Sequence, residues 1–69
     1  MAKYTLVGQD GNAYNLMGYT ARALRHEGLG HLEDEMFKKA TSGDYNHLIA
    51  VCDDYLQMAN EAAAKKRKN

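Results

Sequence analysis

The fold class turns on one stretch, Lys3-Tyr4-Thr5-Leu6-Val7-Gly8-Gln9-Asp10-Gly11-Asn12-Ala13-Tyr14-Asn15-Leu16. Tyr4-Thr5-Leu6-Val7 is β-branched and aromatic, and Asp10-Gly11 tolerates the positive φ of a two-residue type I′ turn. Residues 12–16 then read as the return strand. In that register Val7 lies opposite Tyr14 and Thr5 opposite Leu16, while Tyr4 and Leu6 point to the other face. The pattern predicts a β-hairpin over residues 3–16. An isolated hairpin is marginal in water, so one of its faces must pack on the rest of the chain. The expected fold is therefore α+β, a hairpin followed by three helices (ββααα), in one small domain spanning residues 1–69.

Working outward, the spacing predicts a first helix over residues 17–27, with Asn15 as its candidate N-cap. Met17, Ala21 and Leu24 form its apolar stripe, and Arg22, Arg25 and His26 lie towards the other side. Gly28 supplies the left-handed stop. A short second helix over residues 31–42 carries Leu32, Met36 and Ala40 on one stripe. Its acidic residues lie in the first turn and Lys38 and Lys39 lie near the end, the order the helix dipole prefers. Gly43 reads as the residue that ends it. Asp44 then caps a third helix whose face runs through Tyr45, Leu48, Ile49, Cys52, Tyr55, Leu56, Ala59 and Ala63. So broad an apolar surface suggests a second copy of the chain as its cover. Residues 65–69 read as a basic, frayed tail.

Size and charge narrow the function. A chain of 69 residues buries about 60% of its unfolded surface, so stability is marginal and a staple is expected. A lone Cys52 excludes an intrachain disulfide and suits a reducing cytoplasm, which leaves homo-oligomerisation as the expected remedy. Four of the nine basic residues fall at 65–68, so residues 1–64 carry five basic against nine acidic groups, a net of −4. That argues against a nucleic-acid face on the folded body. No apolar run approaches the roughly 18 residues of a membrane span. The first residues lack a secretory apolar segment, and the expected address is cytoplasmic.

None of the chemistry-bearing patterns assembles a catalyst. His26, His31, His47 and Cys52 are a conceivable ligand set, but no pair sits at i,i+3 or i,i+4 on one helix. Cys52 lies mid-stripe, where a buried small hydrophobe outweighs a nucleophile. Asp53 and Asp54 diverge by about 100° around a helix and form no acid/base pair. Asp10-Gly11-Asn12 and Gly8-Gln9-Asp10-Gly11 read as turn chemistry rather than a calcium loop or a nucleic-acid clamp. The expectation is a non-enzyme without cofactor or metal. Tyrosine is over-used, five residues against one phenylalanine, and tyrosines favour interfaces and stacking on planar ligands. Tyr14, Tyr19, Arg22, Arg25, Asn46 and His47 are therefore the candidate site, framing a small anionic or nucleotide-type ligand at an oligomer interface. The alternative is an inhibitor or adaptor that binds a host protein through the apolar face of the third helix.

Two blocks carry a resemblance: Leu6-Val7-Gly8-Gln9-Asp10-Gly11-Asn12-Ala13-Tyr14-Asn15-Leu16-Met17-Gly18-Tyr19 and Ala40-Thr41-Ser42-Gly43-Asp44-Tyr45-Asn46-His47-Leu48. On these the chain resembles a group of short, uncharacterised proteins found in bacteriophage and gut-bacterial genomes, over most of residues 3–60. The group has no established activity, so no residue role is carried across. The resemblance implies a small phage-associated protein acting in the host bacterium as an accessory or counter-defence factor, by binding and sequestering.

Overall fold

The computed structural model describes residues 2–67. Among them the regular structure is entirely helical: α1 (Ala13–His26), a 3₁₀ turn (Gly30–Leu32), α2 (Glu33–Ala40) and α3 (Tyr45–Arg67). The expected hairpin is absent from the described residues, and the α+β (ββααα) assignment is corrected to an all-α fold with an N-terminal arm.

The correction has a local cause. Asn12 is the N-cap of α1, its side-chain oxygen accepting from the amides of Tyr14 at 2.9 Å and Asn15 at 3.4 Å. The Asp10 carboxylate accepts from the Asn12 amide at 3.1 Å and from Asn15 Nδ2 at 2.8 Å. Short polar side chains that satisfy nearby amides in this way compete with a strand ladder and favour helix starts. The intended return strand is thus the first turn of α1, and Asn15, the expected cap, lies inside the helix. The turn itself sits three residues earlier. The Gln9 amide donates to the Leu6 carbonyl at 3.1 Å, and Gly8 at the third position has φ +85°, the pattern of a type II turn.

At its other end α1 closes with a full Schellman motif. Gly28, at φ +79°, donates to the Arg25 carbonyl at 3.1 Å, and the Leu29 amide donates to the Leu24 carbonyl at 2.7 Å. The second helix is shorter than expected, because residues 30–32 wind as 3₁₀ before α2 begins. The Thr41 and Ser42 hydroxyls finish α2 by donating to the carbonyls of Phe37 and Lys39, both at 2.7 Å. Gly43 has no positive φ; its lack of a side chain leaves room for the His47 ring, which a Cβ would approach to 2.8 Å. His47 Nε2 donates to the Lys39 carbonyl at 2.8 Å, since a carbonyl can only accept.

Asp44 caps α3 as expected, its Oδ1 accepting from the His47 amide at 2.9 Å. The α3 stripe is covered within one chain. Leu48, Val51, Cys52, Tyr55, Leu56 and Ala59 are buried in one cluster with Leu16, Met17, Ala21 and Leu24 of α1 and Met36 and Ala40 of α2, and Ala63 is buried as well. The breadth of this face is therefore no argument for a second copy. Its remaining exposed large apolar side chains are Tyr45 and Met58. Lys65 and Lys66 lie on α3, and Lys68 and Asn69 lie outside the described residues.

Candidate functional site: a basic, aromatic groove along the N-terminal arm

The arm before α1 is not a strand, but it is held like one. The Tyr4 amide donates to Asn60 Oδ1 at 2.7 Å, and Asn60 Nδ2 donates back to the Tyr4 carbonyl at 2.9 Å. One α3 side chain thus satisfies both backbone groups of Tyr4. The Thr5 amide donates to the Tyr19 hydroxyl at 3.1 Å, which ties the arm to α1 as well. Farther along, the Tyr45 hydroxyl donates to the Gly11 carbonyl.

Beneath the arm lies a carboxylate that the sequence reading did not single out. Glu27 is 5% exposed, and three donors converge on it: the Tyr4 hydroxyl, Lys3 Nζ at 3.2 Å and Lys66 Nζ at 3.3 Å. The Tyr4 hydrogen bond, followed by those from the two lysines, outweighs desolvation and holds the carboxyl down at about 2. Burial, then the hydrogen bond to Glu27, pushes the Tyr4 hydroxyl up to about 12. This cluster joins the arm, the end of α1 and the end of α3 at one point.

Arm and helix together form a groove of about 310 Å³ lined by Lys3, Tyr4, Tyr19, Arg22, Ala23 and His26. The Tyr4 and Tyr19 rings meet edge to face at 6.5 Å. A shallower basin lined by Arg22, Arg25 and His26 continues from it. Arg25 Nε is paired with Glu33 at 3.2 Å, whereas Arg22 makes no ion pair among the described residues. Lys3 and Lys66 exceed Glu27 by one charge, and Arg22 adds another. The groove therefore offers cationic donors beside aromatic surface, which suits an anionic group attached to a planar ring.

The six expected site residues do not form one constellation. Tyr19 and Arg22 line this groove, and Arg25 lies in the adjoining basin. Tyr14 belongs to a separate cavity at the other end of α1. His47 is occupied in closing α2, and Asn46 lies in the exposed first turn of α3. Lys3, Tyr4, His26 and Glu27 were missed. Glu27 was legible: it follows Leu16, Thr20 and Leu24 on the buried stripe of α1, where a carboxylate must find partners. Lys3 and Tyr4 were hidden by the hairpin reading.

The remaining candidates have structural places. Cys52 is fully buried, and burial pushes its thiol up, against what a nucleophile needs. Among the described residues no group of three or more His, Cys, Asp or Glu side chains could hold a metal ion. No described helix is long and apolar enough to cross a membrane. No family model, curated protein or solved structure matches the chain.

Proposed function

We propose that the protein is a non-catalytic binding module that holds a small anionic ligand with a planar ring, of the nucleotide type, in the groove between the arm and α1. The observation that carries this reading is the convergence of Lys3, Arg22 and His26 around the paired rings of Tyr4 and Tyr19. The ring would lie on the Tyr19 face, and the anionic group would reach Arg22 and Lys3. The groove is complete within one chain, so binding does not require the oligomer interface that the sequence suggested. A phage-associated, counter-defence setting rests on the sequence resemblance alone.

A panel of nucleoside monophosphates and cyclic nucleotides tests the proposal by thermal shift and calorimetry. Ligand at about 100 times its dissociation constant stabilises the native state by about 2.7 kcal/mol, which in a domain of this size raises Tm by roughly 10 °C or more. Arg22→Ala is expected to weaken binding about tenfold without altering the fold, as loss of one charge-assisted contact does. No shift and no heat across the panel would overturn the reading.

A further inference from the structure

A second cavity lies at the opposite end of α1 and has the opposite chemistry. It measures about 330 Å³ and is lined at its base by the buried Met17, Ala40 and Leu48 and at its mouth by Tyr14, Tyr45 and Asp44. Tyr14 is 81% exposed. We propose that this cavity is a binding site for a small organic ammonium ion carrying apolar substituents.

Two observations point to a cation. The first concerns the rings themselves. Lys3 and Lys39 already lie 5.5 Å and 5.6 Å from the ring centroids of Tyr4 and Tyr55, but no cation of the described chain lies over Tyr14 or Tyr45. Two tyrosine faces at the mouth of one cavity are thus left for a cation from outside, and such faces attract ammonium groups through the ring quadrupole. The Tyr45 ring is pre-positioned, because its hydroxyl is bound to the Gly11 carbonyl.

The second observation is charge. Asp44 is the charged residue of the lining and no lining residue is basic; Lys38 and Lys39 stand in the last turn of α2, outside the lining. Asp44 Oδ1 is committed to the His47 amide, which leaves the other carboxylate oxygen for a ligand. The apolar base of Met17, Ala40 and Leu48 would then accept the methyl or alkyl groups around the nitrogen. A methylated head fits this better than a bare ammonium, because it gives up less hydration on entering.

Amide NMR titration of the whole protein with choline chloride tests the proposal, with sodium chloride at equal ionic strength as the control. The neutral carbon isostere dimethylbutanol provides the second comparison. The expected result is saturable shifts at Tyr14, Met17, Tyr45 and Leu48, with the isostere weaker by roughly threefold to thirtyfold. Tyr14→Leu keeps apolar area and removes the ring face; Asp44→Asn keeps the N-cap and removes the charge. Both are expected to weaken choline binding while leaving the spectrum of the folded protein intact. Shifts that do not saturate, shifts centred elsewhere, equal binding of the isostere, or undiminished binding to Tyr14→Leu would each overturn the proposal.

Discussion

Glu27 shows what a single residue can organise in a chain this short. Its carboxylate is buried beneath the arm yet stays ionised, because a hydroxyl and two ammonium groups replace the water it loses. The pH dependence follows from the shifts. A carboxyl held near 2 when folded, against about 4.5 when unfolded, contributes stability that is complete above the unfolded value and lost as pH falls towards 2. Tyr4 acts at the other extreme. With its hydroxyl raised to about 12 from 10.0, its contribution is complete below the unfolded value and lost as pH rises through 12. Thermal melts across this range are therefore expected to show a plateau that falls at both ends. Tyr4→Phe reduces the alkaline fall, to which the raised Tyr55 hydroxyl and Cys52 thiol still contribute, and flattens the acid one, whereas Glu27→Gln reduces the acid fall and leaves Lys3 and Lys66 unpaired. A plateau unchanged in either variant would contradict the cluster.

At the scale of elements, the arm and α1 show why part of the fold was legible and part was not. α3 could be read almost residue by residue, since its cap, its stripe and its start all agree. The end of α1 was equally clear, because Gly28 has one conformation open to it that few other residues share. Residues 3–16 were ambiguous because the same letters serve two structures. Asp10, Gly11 and Asn12 are turn residues for a hairpin and capping residues for a helix, and Tyr14 and Leu16 suit either period. What decided it was long-range: Asn60 and Tyr19 satisfy the arm without any partner strand.

Three substitutions test this assignment. Asn12→Ala is expected to cost about 1 kcal/mol through loss of the cap, lowering Tm by roughly 4–8 °C. Asn12→Asp should retain most of that stability, which a strand position would not allow. Asn60→Ala should leave the helical circular dichroism unchanged and abolish the hydrogen-exchange protection of the Tyr4 amide. Continued protection of that amide would mean the arm is held by something else.

For the whole molecule, the three helices close one core, with Leu24, Met36 and Cys52 fully buried where they meet. Leu24→Ala should cost about 2–5 kcal/mol. A domain of this length rarely has more than about 3–5 kcal/mol in total, so the variant is expected to be largely unfolded at room temperature, as denaturant titration would show. The candidate site was only half legible for a reason that also belongs to this scale. Tyr19 and Arg22 are neighbours on one helix, and their spacing places them together. Lys3 and Tyr4 join them through an arm whose path depends on α3, some 56 residues away in sequence.

The central claim is that this arm and α1 form a groove for a planar anion, and amide NMR mapping with adenosine monophosphate tests it most directly. The account predicts saturable shifts at Tyr4, Tyr19, Arg22 and His26, with Tyr14, Asn46 and His47 unmoved. An absence of saturable shifts, or shifts centred on the start of α3 instead, would contradict it.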